Sequence, residues 1–145
     1  MNGYIRSQEF GGDGGDPFSD DLTEVCRLVQ VNIRYASEID GIQCEWESPS
    51  GARVTGPWHG GHGGDLTHFT LLEGEHITHF EGRVGSRVDQ LTFYTNKGNK
   101  FGPYGGTRGS EFSSPSDLRV TGFFGRAAHR LDAIGAFSPA PLAST

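Results

Sequence analysis

Three aspartates in this 145-residue chain sit in nearly the same local setting: Ile39-Asp40-Gly41-Ile42, Val88-Asp89-Gln90-Leu91 and Leu131-Asp132-Ala133-Ile134. Three glycine clusters accompany them: Gly11-Gly12-Asp13-Gly14-Gly15, Gly60-Gly61-His62-Gly63-Gly64 and Gly105-Gly106-Thr107-Arg108-Gly109. Each cluster leads into an acidic or hydroxyl residue and then an aromatic: Asp16 with Phe18, Asp65 with Phe69, Ser110 with Phe112. Asp40 follows Gly11 by 29 residues, Asp89 follows Gly60 by 29, and Asp132 follows Gly105 by 27; the clusters recur after 49 and then 45 positions. Two features kept in register through three units identify three copies of one supersecondary unit.

The chemistry open to such a pairing is the capture of neighbouring hydroxyl groups. An aspartate carboxylate accepts from two adjacent hydroxyls at once, and charge-assisted bonds are the stronger kind. Glycine lacks Cβ, so a ligand ring comes close to the backbone N–H groups that donate to its oxygens. Glycine loop plus loop aspartate is therefore chemically sufficient for a monosaccharide. One glycine cluster alone reads as backbone conformation at a strand junction, and one aspartate alone as a turn residue; the threefold recurrence is what points to a ligand.

Other chemistries fit less well. A phosphate-cradling loop needs a following Lys and a helix, and a dinucleotide fingerprint needs alternating β and α units; no cluster supplies them. His59, His62, His68, His76 and His79 crowd together, but without metal-ligand spacing. They read as solvated loop residues, with His76 and His79 on opposite faces of a strand, so neither a metal nor a cofactor is expected. A glycosidase needs two facing carboxylates, and the repeated aspartates fall on different units, with Glu38 beside Asp40 as the one nearby pair. No nucleophile elbow or reactive-cysteine setting occurs, so no catalytic residue is assigned.

The elements that must carry these residues are strands. With 23 glycines and 10 phenylalanines, the composition opposes long helices, where each interior Gly costs about 1 kcal/mol, and suits short strands joined by turns. Val29 to Tyr35 alternates apolar and polar residues; Gln90 to Thr95 does so more loosely, and Arg119 to Phe123 begins another strand. Thr95 to Lys100 and Ser48 to Gly51 read as hairpin turns. Ser138 to Thr145, with two prolines, reads as a loosely held end. The formal charge of −6, with Lys and Arg dispersed, opposes nucleic-acid binding. No run approaches the roughly 18 apolar residues of a membrane span. Met1 to Phe10 lacks a secretory pattern, which points to a cytoplasmic or nucleocytoplasmic location, with Cys26 and Cys44 as reduced core residues.

Three further segments, Leu91-Thr92-Phe93-Tyr94-Thr95-Asn96-Lys97, Phe101-Gly102-Pro103-Tyr104-Gly105 and Thr121-Gly122-Phe123-Phe124-Gly125-Arg126, together with the first glycine cluster and Leu131-Asp132-Ala133-Ile134-Gly135, resemble the jacalin-related lectins. The resemblance spans nearly the whole chain. It implies an all-β fold, a β-prism of three four-stranded antiparallel Greek-key sheets with pseudo-threefold symmetry. The chain then forms one domain, 1–145, with repeats at roughly 11–55, 60–104 and 105–137.

The family joins a glycine loop to a Gly-x-x-x-Asp loop. Carried onto this chain, the main site takes Gly15, His129 and Arg130 as backbone donors and Asp132 as acceptor for the sugar's 4- and 6-hydroxyls. A second site takes Gly64, Ser37, Glu38 and Asp40, and a third Gly109, Ser86, Arg87 and Asp89. Ala128 and Ala36 replace the leading Gly of two loops, and a positive φ there would strain them. Arg108 stands where the other clusters have Gly. Continuity of the chain into Gly11 sets it apart from the cleaved, galactose-specific members. The resemblance therefore implies mannose- or glucose-containing glycans as partners and a homo-dimer or higher oligomer. The other reading on the same fold is an assembly module whose sugar sites have degenerated.

Overall fold

The computed structural model describes residues 3–140. Within them the strands are β1 (Tyr4–Arg6), β2 (Phe10–Gly11), β3 (Asp16–Ser19), β4 (Arg27–Tyr35), β5 (Ile39–Glu47), β6 (Arg53–Thr55) and β7 (His59–Gly60). There follow β8 (Asp65–Thr70), β9 (Ile77–Val84), β10 (Val88–Thr95), β11 (Lys100–Gly105), β12 (Ser110–Ser113), β13 (Gly122–Ala127) and β14 (Leu131–Pro139). They form three antiparallel sheets, each built on a four-strand path: β6-β5-β4-β8, β11-β10-β9-β12 and β1-β14-β13-β3. Two-residue strands β7 and β2 add to β5 and β14. In each path the fourth strand returns beside the first, the Greek-key order. The third sheet obeys the same order, with its last two long-path strands supplied by the N-terminal segment.

Each sheet takes its fourth strand from the segment just beyond a glycine cluster: β3 after Gly15, β8 after Gly64 and β12 after Gly109. The sheets are therefore offset by one strand from the repeats seen in the sequence.

The alternation in β4 is real burial: Val31 and Ile33 are fully enclosed between the half-buried Gln30, Asn32 and Arg34. Strands β5, β10 and β14 touch one another across the interior and are the most buried of their sheets. Ile42, Leu91, Ile134, Phe80, Phe93 and Phe123 fill the space between them. Phe93 and Phe123 meet edge to face with centroids 6.1 Å apart, and the buried Trp46 Nε1 donates to the Thr121 carbonyl at 2.6 Å.

Four local expectations change. Arg119 to Thr121 precede the strand, which starts at Gly122. Ser138 and Pro139 are not a loose end, because β14 pairs them with Ile5 and Tyr4; residues 141–145 lie outside the described part. Cys26 is exposed, and only Cys44 is a buried thiol; burial, then the neighbouring Asp20 carboxylate, pushes its pKa well up. His59 is no solvated loop residue. It is buried, stacks on Phe18 at 4.0 Å, and meets the enclosed Asp20 carboxylate at 2.7 Å through Nε2. Asp20 also accepts from the Phe123 N–H at 2.9 Å, so this buried charge is answered on both oxygens.

Candidate functional site

Each aspartate lies just past a three-residue hairpin turn: 36–38 between β4 and β5, 85–87 between β9 and β10, 128–130 between β13 and β14. The turns close alike, with the N–H of Ala36, Gly85 and Ala128 donating to the carbonyls of Glu38, Arg87 and Arg130 at 3.0, 2.9 and 3.0 Å. Positive φ occurs only at glycines among the described residues, so Ala36 and Ala128 carry no backbone strain.

The pairing register explains why an aspartate stands at this place. Tyr35 pairs with Ile39 and Arg34 with Gly41, which skips Asp40. Val84 pairs with Val88 and Arg83 with Gln90, skipping Asp89. Ala127 pairs with Leu131 and Arg126 with Ala133, skipping Asp132. Each aspartate is thus the extra residue of a β-bulge, a device that re-aims a side chain beside a site. On the other edge, the next residue pairs with the first glycine of a cluster: Gly41 with Gly60, Gln90 with Gly105, Ala133 with Gly11. The following glycines, Gly61, Gly106 and Gly12, then donate to the carbonyls of Asp40, Asp89 and Asp132 at 2.8, 2.9 and 2.9 Å.

This register folds each cluster over its own aspartate. Gly15, Gly64 and Gly109 hold φ of +68°, +72° and +83°, and a methyl group on them would lie 2.5, 2.6 and 2.6 Å from the Oδ2 atoms of Asp132, Asp40 and Asp89. Backbone conformation and clearance both require glycine there. The structure therefore brings together Gly15 with Asp132, Gly64 with Asp40, and Gly109 with Asp89, and it sets His129 and Arg130, Ser37 and Glu38, and Ser86 and Arg87 in the turns beside them. Arg108 puts a side chain at the third site where the first two clusters have Gly14 and Gly63.

A second set of residues escaped the sequence reading. Arg126 donates to the carbonyls of Gly14 and Gly15 at 3.0 and 2.9 Å. Arg83 donates to those of Arg108 and Gly109 at 3.2 and 2.7 Å, and Arg34 to those of His62 and Gly64, both at 3.2 Å. The C=O and N–H of one peptide unit point in opposite directions. Holding the Gly14 carbonyl therefore turns the Gly15 N–H away from the arginine. The signal was available, since each arginine stands six residues before its aspartate: Arg34 and Asp40, Arg83 and Asp89, Arg126 and Asp132.

All three aspartates are nearly buried. Desolvation pushes their carboxyls above the usual range; nearby arginines oppose it, Arg130 at Asp40, Arg108 at Asp89 and Arg87 at Asp132. Arg130 Nε lies 3.0 Å from Asp40 Oδ1, and Arg87 Nε 3.7 Å from Asp132 Oδ1. Asp40 Oδ2 is buried with no hydrogen-bond partner among the described residues. Such an acceptor is costly unless something donates to it. The only other carboxylate in these turns, Glu38, directs Oε1 at Arg87 and Arg130, 3.5 and 3.4 Å away. Among the described residues no cluster of His, Cys, Asp and Glu is arranged to hold a metal ion.

Comparison with known proteins agrees with this geometry. The chain is 35% identical to griffithsin of Griffithsia sp. (strain Q66D336) over 131 residues, 90% of this chain and 93% of that protein. It is 37% identical over 137 residues to an agglutinin of Castanea crenata, covering 87% of this chain but 44% of that longer protein. A mannose-binding jacalin-related lectin from Ananas comosus superposes with a TM-score of 0.82 at 28% identity, over 95% of this chain and 98% of that one. The profile of the jacalin-like lectin domain matches residues 7–137, and with the β-prism and its three glycine–aspartate cups this chain belongs to the jacalin-like lectin family, a family of carbohydrate-binding proteins.

Proposed function

We propose that the chain binds mannose- or glucose-type sugars without turning them over, at up to three sites formed by Gly15 with Asp132, Gly64 with Asp40 and Gly109 with Asp89. The thrice-repeated placement of a bulged aspartate carboxylate against a positive-φ glycine carries this reading. Two vicinal hydroxyls donate to a carboxylate held in this way, while cluster and turn N–H groups donate to the ring oxygens. Mannose-type specificity draws support from the Ananas comosus lectin and from the unbroken N-terminal segment, which pairs β1 and β2 with β14 on its way into the first cluster.

The carboxylates support binding rather than hydrolysis. Hydrolysis of a glycoside needs one free acid opposite a second carboxylate. Glu38 is engaged by two arginines, and each repeated aspartate sits in its own cup. A single shallow cup of a few hydrogen bonds gives roughly millimolar affinity, about −4 kcal/mol.

Isothermal titration with methyl α-mannoside and with galactose, on wild type and Asp132→Asn, tests the proposal. Heat with the mannoside alone, and fewer sites in the variant, is the expected result. Silence with both sugars overturns it in favour of an assembly module on the same fold.

A further inference from the structure

The three cups are not separate. Each glycine cluster is wedged between its own turn and the turn of a neighbouring site. A methyl on Gly12 would lie 2.3 Å from the Ser86 carbonyl oxygen, one on Gly61 2.2 Å from that of His129, and one on Gly106 2.4 Å from that of Ser37. The turn of the third site therefore borders the first cluster, that of the first site borders the second, and that of the second borders the third. Equal turn lengths and equal registers make this arrangement cyclic.

The last residue of each turn, two before its aspartate, consequently faces the next cup. Arg87, on the third turn, reaches Asp132, and Arg130, on the first, reaches Asp40. At the corresponding place on the second turn stands Glu38, whose negative charge works against ionisation of all three aspartates; an arginine outweighs it at Asp40 and Asp132 but not at Asp89. Glu38 also links the two arginines through Oε1, so an open chain of contacts, Asp132–Arg87–Glu38–Arg130–Asp40, crosses the hub of the three cups.

Arg130 holds Oδ1 of Asp40 while Oδ2, the oxygen without a partner, faces Gly64. Asp89 turns Oδ2 to Gly109 in the same way without an ion pair, so what the arginine adds is positive charge beside the carboxylate and a partner for its second oxygen. Among the described residues no guanidinium comes within ion-pairing distance of Asp89, and its cup also carries the Arg108 side chain.

We propose that Arg130 is a positioning residue of the second site and Arg87 of the first, each acting across the hub from another site's turn, and that Glu38 in the equivalent place makes the third site the weakest. This rests on the sugar-binding reading of the three aspartates. Neither arginine side chain is needed as a ligand contact: each acts through the neighbouring site's aspartate, apart from any donation by the backbone N–H at its own site.

The test is a proton–nitrogen chemical-shift titration with methyl α-mannoside, following the Gly15, Gly64 and Gly109 amides as separate reporters. Arg130→Met keeps the aliphatic stem and removes the charge. Affinity read at Gly64 should fall about fivefold, the effect of one part-exposed ion pair, and by more than at Gly15, the site whose turn holds the residue. Arg130→Lys should recover part of the loss, and the acid limb of binding at Gly64 should move to higher pH in Arg130→Met. Glu38→Gln should tighten binding at Gly109. Unchanged or tighter binding at Gly64 in Arg130→Met, or a larger loss at Gly15, overturns the proposal. If wild type shows no shift at any of the three glycines, it is the sugar reading that fails. The contact of Arg130 with Asp40 is then judged by the carbon-13 titration of the Asp40 carboxyl, which must move to higher pH in Arg130→Met, and an unmoved titration overturns it.

Discussion

Asp40, Asp89 and Asp132 are carboxyls whose pKa the fold raises, chiefly by desolvation. The folded state then holds its protons more tightly than the unfolded chain, so these groups subtract stability once pH rises through their folded values. Glu75 is the opposite case. Burial alone would push it up, yet donors from the Leu72 N–H, the Thr95 hydroxyl and the Asn99 amide hold it below the ordinary value. Its contribution is present above the unfolded glutamate range and is lost as pH falls through the folded value. A carboxylate whose ionisation the fold opposes suits a ligand site, whereas one stabilised from all sides suits a structural role. Asp40→Asn should therefore melt no lower than wild type at neutral pH while losing sugar binding at Gly64, as seen by thermal melts beside the shift titration. In wild type, sugar binding should fade on acidification at a pH above that where a free aspartate titrates, which a pH series of titrations reads directly.

At the scale of elements, the site is a property of three hairpins and three braces. A three-residue turn followed by a bulge throws the aspartate out of the ladder, and an arginine six residues earlier ties the facing glycine cluster by its carbonyls. Removing one brace loosens a cluster without touching its aspartate. Arg126→Gln should weaken mannoside binding at the first site by roughly 0.5–1.5 kcal/mol, the usual worth of a hydrogen bond, and should speed amide exchange at Gly14 and Gly15. Equal exchange rates in variant and wild type would show that the cluster holds its shape unaided. The recurrence of Arg34, Arg83 and Arg126 was visible in the chain, but an arginine on a strand reads as a solvated face until its carbonyl partners are known.

For the whole molecule, the decisive fact is that β5, β10 and β14 start at the same end of the prism, so the three cups share a hub. Sites joined rigidly at short range can gain about 10²–10⁴-fold in avidity when a ligand has arms that reach more than one. Asp132→Asn should then slow-release a branched mannoside far less well than wild type does, while methyl α-mannoside merely loses one equivalent of binding. Surface plasmon resonance of both ligands checks this; equal proportional losses would mean that the cups act singly.

The sequence alone determined what depends on residue type and local order. Glycine clusters need φ values that other residues avoid, alternating runs mark strands, and the register of three aspartates with three clusters marks three cups. Those are short-range constraints, written into neighbouring positions. Tertiary structure decided whatever depends on which edges meet. The offset between repeats and sheets arises because each fourth strand pairs back to an earlier partner. Buried His59 owes its state to Asp20, and the hub owes its charges to Arg130 at Asp40 and Arg87 at Asp132. Chain separation hides such pairs, since side-chain type says that an arginine seeks a carboxylate but only the closed prism selects which one lies within reach.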